Sequence, residues 1–130
     1  MAKKILVIDD EGLVTASLKQ LLKKSGYDVD VAHNGNAAME KIRESDFDLI
    51  ISDIRMPGIN GVEVVKQIRR YLQQAGKPAV PEVLITGYAN KENLEEAQRL
   101  KVADYIYKPF NIKEFLEIVK KNLDQGSHGT

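Results

Sequence analysis

Acidic side chains follow two of the apolar runs in this 130-residue chain. Asp9 and Asp10 come directly after residues 5–8, and Asp53 lies just past residues 47–51. If these runs are neighbouring parallel strands, their carboxyl ends meet at one edge of the sheet and the three carboxylates converge. Carboxylates this close repel one another unless one is protonated or a cation lies among them. An all-oxygen ligand set favours a hard ion, so the pattern predicts a Mg²⁺ site, with Mn²⁺ as the alternative.

Asp53 can also act as a nucleophile. A carboxylate beside a divalent cation can attack phosphorus, because the cation neutralises the oxygens of the transferring phosphoryl group. Lys108 follows the fifth apolar run and is long enough to bring a second positive charge to that group. Thr86 supplies a hydroxyl donor, and Gly87 beside it leaves room for an incoming group. Together these residues predict a phosphoryl-accepting site.

Each residue also has a purely structural interpretation. Asp10 could cap the following helix, and Asp53 could form a turn. Lys108 could be a solvated loop lysine, and Thr86 an ordinary strand residue. Each alternative is reasonable alone, but the three carboxylates of Asp9, Asp10 and Asp53 together are much less expected by accident.

The elements that must position these residues are five short, apolar, β-branched runs alternating with helical patterns. The runs are residues 5–8, 29–32, 47–51, 83–85 and 103–107. Strands that are apolar on both faces predict a parallel sheet covered by helices on each side, joined by right-handed crossovers. We therefore expect a doubly wound α/β fold, a (βα)5 three-layer sandwich. If its strand order is 2-1-3-4-5, as in flavodoxin-like folds, strands one and three are neighbours.

Local signals predict helix boundaries. Asn60 and Asn111 are each followed by Glu three residues later, which is typical of an N-cap, and Gly26 is expected to close the first helix. The fourth helical segment, residues 91–101, has only a narrow apolar stripe, so we expect it to be the least firmly anchored. The stripe consists of Leu94, Ala97 and Leu100.

Composition excludes several classes of protein. The 19 Lys and Arg balance the 19 Asp and Glu, which disfavours direct nucleic-acid binding. The absence of Cys excludes a disulfide scaffold and thiolate chemistry. The apolar run 5–8 is too short to span a membrane and no signal-peptide pattern surrounds it, so we expect a cytoplasmic protein. One domain is expected over 1–124, with a flexible tail, linker start or tag remnant over 125–130.

Four motifs, in order, resemble the receiver domain of two-component response regulators. They are DD at 9–10, DIRMPGING at 53–61, TG at 86–87 and DYIYKPF at 104–110. Each is short, but each stands where the family carries it, and the likeness covers nearly the whole chain. It implies that Asp53 accepts a phosphoryl group from a sensor histidine kinase or phosphotransfer protein. Such a domain promotes its own phosphorylation and dephosphorylation but has no conventional substrate turnover.

The resemblance also implies how the metal is held. Asp10, Asp53 and the backbone carbonyl of Arg55 would ligate Mg²⁺, and Asp9 would act on it through water. Arg55 and Tyr88 occupy positions that tune dephosphorylation in the family, and their bulk leads us to expect a long-lived phosphoryl group.

The same resemblance implies a switch. Thr86 and Lys108 would contact phosphoryl oxygens, and Tyr105 would change rotamer when Thr86 moves. Tyr107 shares a strand face with Tyr105, so the sequence leaves both tyrosines as candidates. The family usually has a cis peptide bond before the proline that is Pro109 here. The surface of helix four, strand five and helix five would then change for a downstream output domain, a target protein or a homodimer partner.

Three other classes of protein remain as alternatives. A phosphohydrolase with an aspartyl intermediate normally carries Asp-x-Asp-x-Thr after strand one, whereas this chain has DDEGL at 9–13. A flavin or nucleotide binder needs phosphate-binding donors in the first loop, which is acidic here. A receiver-like interaction module that is never phosphorylated is the serious alternative, although it would have no reason to retain mutually repelling carboxylates.

Overall fold

Strands and helices alternate along the whole chain. The computed structural model describes residues 2–56, 58–87 and 91–128, with side chains described except at 91–94 and 125–128. The elements are β1 (Lys4–Ile8), α1 (Gly12–Lys24), β2 (Asp28–Ala32), α2 (Gly35–Glu44), β3 (Leu49–Asp53), α3 (Gly61–Gln74), β4 (Glu82–Thr86), α4 (Lys91–Leu100), β5 (Asp104–Tyr107) and α5 (Ile112–His128). The predicted alternation is confirmed. The division of the chain after residue 124 stays a prediction.

The five strands form one parallel sheet in the order β2-β1-β3-β4-β5, as predicted. β1 lies beside β3, with Ile8 opposite Ser52. β3 in turn lies beside β4, with Asp53 opposite Ile85. The carboxyl ends of these three strands therefore meet at one edge, which is where an open α/β sheet presents its ligand site.

The third strand begins and ends two residues later than predicted. The apolar run suggested 47–51, but the ladder includes Ser52 and Asp53, which pair with β4. Phe47 is buried without belonging to the strand. The apolar run shows which segment is buried, whereas hydrogen bonding to β4 determines where the strand ends. As a result, Asp53 is held by the sheet itself instead of by a loop.

Alternate side chains of each central strand pack against different helices. Ile5 and Val7 belong to the cluster formed with α1 and α5, whereas Leu6 and Ile8 belong to the cluster formed with α2 and α3. This alternation is the period of two expected for a strand buried on both faces. Burial of both faces fixes the register of β1, because a one-residue slip would exchange the two sets.

The predicted N-caps are confirmed. The Asn60 side chain accepts a hydrogen bond from the Glu63 amide at 3.0 Å, and the Asn111 side chain accepts one from the Glu114 amide at 2.7 Å. α1 ends at Lys24, and Gly26 follows with φ of +95°. Of the stripe predicted for α4, Ala97 is fully buried and Leu100 is partly buried. The Leu94 side chain lies outside the described residues.

Lys101 directly follows α4 and has a left-handed conformation, with φ of +56°. An L-residue pays a steric penalty there that Gly avoids, so we expect Lys101→Gly to raise the free energy of unfolding by about 0.5–1 kcal/mol. Urea denaturation of both proteins measures the change. Lys101→Ala keeps the Cβ and serves as the control, so equal stability of the Gly and Ala variants would contradict the prediction.

Candidate functional site

Three carboxylates converge at the carboxyl edge of the sheet. Asp9 and Asp10 directly follow β1, and Asp53 is the last residue of β3; one oxygen from each lies within 4.8 Å of the others. Asp9 and Asp53 are buried, whereas Asp10 is exposed. Adjacent strand residues point to opposite faces, but β1 ends at Ile8, so both following aspartates can face the same site. The predicted convergence is present.

Asp10 is not the cap of the following helix. α1 begins at Gly12, its N-cap position is Glu11, and no side-chain hydrogen bond caps it. The amide of Glu11 instead donates to Asp9 Oδ1 at 3.0 Å. The structural interpretation of Asp10 therefore loses its basis, and its carboxylate remains part of the acidic cluster.

Asp9 combines burial with a carboxylate oxygen, Oδ2, that has no hydrogen-bond partner among the described residues. Burial, reinforced by the charge of Asp53 and opposed by the Glu11 amide and by Lys108, raises the pKa of Asp9 from 3.8 to about 6. A buried carboxylate oxygen without a donor, beside two more carboxylates, is chemically suited to a hard divalent cation. The residues present therefore fit Mg²⁺.

Lys108 supplies the opposing charge. Its Nζ lies 3.0 Å from Asp53 Oδ2, and its backbone amide donates to the Thr86 carbonyl at 2.8 Å. Burial lowers the pKa of Lys108, but the hydrogen bond and charge of Asp53, with the charges of Asp9 and Glu11, outweigh it and raise that pKa above its ordinary value. Lys108 is therefore cationic at neutral pH and is no solvated loop lysine. The Lys108–Pro109 peptide bond is cis, as the resemblance implied.

The Asp53 carboxylate is held at both oxygens. Its Oδ1 accepts a hydrogen bond from the Arg55 amide at 3.2 Å, while Oδ2 binds Lys108. Arg55 itself is exposed, and Tyr88 lies outside the described residues. The expected influence of these two side chains on phosphoryl lifetime stays a prediction.

Gly61, the last residue of the 53–61 motif, has a structural role that the sequence alone did not predict. A Cβ at this position would collide with the Asp53 carbonyl and with Ile54. Its amide donates to the Ile54 carbonyl at 2.7 Å. Only Gly allows the first turn of α3 to approach the backbone behind Asp53 this closely. The sequence feature that could have indicated this close approach is a Gly directly after the N-cap residue Asn60.

Thr86 lies on β4, and the tyrosines Tyr105 and Tyr107 lie on the neighbouring strand β5. Thr86 is buried and ends β4, where its hydroxyl lies 3.3 Å from the Gly87 carbonyl. The rings of Tyr105 and Tyr107 stack at 6.4 Å, as their shared strand face predicts. Tyr107 is 57% exposed, whereas Tyr105 packs partly against the apolar cluster beneath α4. Tyr105 is thus the more buried of the two tyrosines, and its role as the switch stays a prediction.

A family model for the response regulator receiver domain matches residues 5–120. This chain therefore belongs to the receiver domains of response regulators. Domains of this family are signalling phospho-acceptors of two-component systems and not conventional enzymes, and they bind Mg²⁺ through acidic residues.

Named relatives agree with this assignment. The transcriptional regulatory protein ResD of Bacillus subtilis (strain 168) is 37% identical over 124 residues, which is 95% of this chain but 49% of ResD. The chain thus spans about half the length of that relative. A CheY-like receiver domain protein of Methanospirillum hungatei JF-1 is 29% identical, with a TM-score of 0.89 and full coverage of both chains. The chemotaxis protein CheY4 of Vibrio cholerae is also 29% identical, with a TM-score of 0.82, covering 93% of this chain and 98% of CheY4. Within the described residues, no helix is long and apolar enough to cross a bilayer.

Asp9→Asn tests whether the acidic cluster is strained without a cation. The folded-state pKa of Asp9 lies above its usual value, so the folded protein holds that proton more tightly and loses stability as pH rises from about 4 to about 6. At pH 7.5 without metal, we expect Asp9→Asn to raise the free energy of unfolding by about 1–2 kcal/mol. Urea denaturation at pH 5 and pH 7.5 measures the change.

Mg²⁺ provides the complementary measurement. A proton on Asp9 competes with the cation, so the rise in melting temperature that Mg²⁺ gives to the wild-type protein should be larger at pH 7.5 than at pH 5. Asp9→Asn should reduce that rise at pH 7.5. A variant that is less stable than wild type without metal at pH 7.5 would contradict the account of Asp9.

Proposed function

We propose that this chain is a phospho-accepting signalling receiver domain in which Asp53 takes a phosphoryl group from a sensor histidine kinase or phosphotransfer protein. The observation that carries this proposal is the position of one buried carboxylate. Asp53 is bonded to the Lys108 ammonium at 3.0 Å and lies within reach of the carboxylates of Asp9 and Asp10. The arrangement offers a nucleophile with positive charge on one side and a cation-binding cluster on the other.

The cation-binding groups are those of Asp9, Asp10 and Asp53, with the backbone carbonyl of Arg55. Asp10, Asp53 and the Arg55 carbonyl would ligate the ion directly, and Asp9 would act on it through water. Mg²⁺, or Mn²⁺ in its place, supplies neutralisation of negative charge on the phosphoryl oxygens. The buried Oδ2 of Asp9 supports this assignment because it has no hydrogen-bond partner among the described residues.

The chemical step is a transfer between two protein side chains. A carboxylate oxygen of Asp53 forms a bond to phosphorus, the bond from phosphorus to the donor's histidine nitrogen breaks, and that nitrogen keeps the electron pair. Lys108 leaves Asp53 Oδ2 for a phosphoryl oxygen, which keeps its charge paired throughout. The Thr86 hydroxyl turns from Gly87 to donate to another phosphoryl oxygen. Asp53 thus gains charge and acceptor oxygens without an unpaired group being buried.

The signal leaves through the surface formed by α4, β5 and α5. Movement of Thr86 frees space beside β5, and the partly buried ring of Tyr105 turns toward it. The changed surface then binds a downstream output domain, a target protein or a second copy of the chain. Direct nucleic-acid binding is not expected of a domain with zero net charge, and the cytoplasm is the compartment where a kinase-fed receiver works.

Intact mass spectrometry tests the proposed function. The protein is incubated with acetyl phosphate, a small phosphodonor, in the presence of Mg²⁺ or with the metal chelated. We expect a mass gain of one phosphoryl group with Mg²⁺ and none without it. A folded protein that binds Mg²⁺ but gains no mass from acetyl phosphate or from a phosphorylated phosphotransfer protein would overturn the proposal and favour the unphosphorylated interaction module.

A further inference from the structure

Arg69 on α3 connects three elements through one guanidinium group. Its Nε and Nη2 donate to the two carboxylate oxygens of Glu82 at 2.8 and 2.7 Å. Its Nη1 donates to the backbone carbonyl of Leu100 at 2.7 Å. Glu82 is the first residue of β4, and Leu100 is the last residue of α4. A single planar side chain therefore bridges α3, the start of β4 and the end of α4.

The pair is far from an ordinary surface ion pair. Glu82 is buried, with 4% of its surface exposed, and a buried carboxylate is stable only when it is paired and hydrogen-bonded. The two parallel hydrogen bonds to Glu82 fix the plane of the guanidinium group, and its third nitrogen, Nη1, then donates to the Leu100 carbonyl. By contrast, Lys66 and Glu96, which also join α3 to α4, are half-exposed and 3.9 Å apart. The contact of Arg69 with the Leu100 carbonyl is thus the shorter of these two polar links between α3 and α4.

The contact with Leu100 lies where a helix needs a partner. The last carbonyls of an α-helix have no amide of the next turn to bind. Here the chain turns away at Lys101 with positive φ, and the Ala103 amide donates to the Glu82 carbonyl at 2.9 Å. The side chain of Arg69 and the backbone of Glu82 therefore hold both sides of the turn that ends α4.

We propose that Arg69 is a positioning residue that, with Glu82, clamps the C-terminal end of α4 to the start of β4. Thr86, at the other end of β4, lies in the phosphoryl site. Phosphorylation of Asp53 then moves the N-terminal end of α4 while its C-terminal end stays in place. This second statement rests on the proposed function; the clamp in the unphosphorylated protein does not.

Amide hydrogen exchange of α4 tests the clamp. The variant is Arg69→Met with Glu82→Val, because removing both partners avoids leaving a buried charge unpaired. Arg70→Met is the matched control, since it makes the same substitution at the neighbouring arginine of α3, whose side chain is exposed. Each protein is measured without phosphodonor, and then with Mg²⁺ and acetyl phosphate while intact mass reports phosphorylation. Amides of β1 serve as the internal reference for global stability.

Without phosphodonor, we expect the amides of residues 98–103 to exchange at least about tenfold faster in the double variant, relative to β1, and at the wild-type rate in the control. With phosphodonor, exchange in wild type should change only in the N-terminal half of α4, and in the double variant throughout α4.

Unchanged exchange at 98–103 in the unphosphorylated double variant would overturn the clamp. Faster exchange at 98–103 in phosphorylated wild type would overturn the pivot, that is, the statement that α4 moves about a fixed C-terminal end. Absence of a mass gain in wild type would count against the proposed function and the pivot with it, while the unphosphorylated comparison still decides the clamp.

Discussion

Asp53→Asn is expected to abolish phosphorylation completely. The amide is not nucleophilic toward phosphorus, and neither Asp9 nor Asp10 can replace Asp53, which alone bonds to Lys108 among the three. Intact mass after incubation with acetyl phosphate and Mg²⁺ should show no phosphorylated species, while wild type under the same conditions gains one phosphoryl group.

The control for this substitution is Asp46→Asn. Asp46 precedes β3 at the opposite edge of the sheet, and 85% of its side chain is exposed. This variant makes the same chemical change as Asp53→Asn and should be phosphorylated like wild type. Undiminished phosphorylation of a folded Asp53→Asn protein would show that the acceptor lies elsewhere.

Lys108→Met should slow phosphorylation by about a hundredfold, because it removes a preorganised cation from the oxygens where charge develops. It also leaves Asp53 facing Asp9 and Asp10 without a compensating charge, so the variant should bind Mg²⁺ more tightly than wild type. The phosphorylation rate is measured by intact mass over time at saturating Mg²⁺. Mg²⁺ affinity is measured by isothermal titration calorimetry.

Opposite changes in these two quantities separate a chemical role of Lys108 from a structural one. A misfolded site would lose both Mg²⁺ affinity and rate, whereas loss of the cation alone lowers the rate and raises the affinity. Lys77→Met is the control for lost positive charge and should change neither quantity. A Lys108→Met protein phosphorylated at the wild-type rate would contradict the proposed contact with the phosphoryl group.

Sequence reasoning predicted the site because its residues follow strand ends. The parallel sheet brings all such ends to one edge, so the convergence of Asp9, Asp10, Asp53 and Lys108 required only the strand order. The caps at Asn60 and Asn111 were equally predictable, since each bond spans three residues. Local chemistry was sufficient for the caps, whereas the convergence could be predicted only once the strand order 2-1-3-4-5 was assumed.

Contacts between distant segments could not be predicted in the same way. Arg69 meets Glu82 across 13 residues and Leu100 across 31, and the amphipathic pattern of α3 contains nothing that distinguishes Arg69 from Arg70. The left-handed conformation of Lys101 could not be predicted either, because this conformation is usually adopted by Gly. The end of β3 was misplaced because its last two residues are polar and are ordered by pairing with β4.

The central claim, that Asp53 itself carries the phosphoryl group, is tested most directly by locating the modification. Borohydride reduces an aspartyl phosphate to the alcohol, converting the residue to homoserine, which peptide mass spectrometry then assigns to one position. After incubation with acetyl phosphate and Mg²⁺, we predict homoserine at position 53 and unmodified aspartate at positions 9 and 10. Homoserine at position 9 or 10, or a phosphorylated protein with unmodified Asp53, would contradict the account.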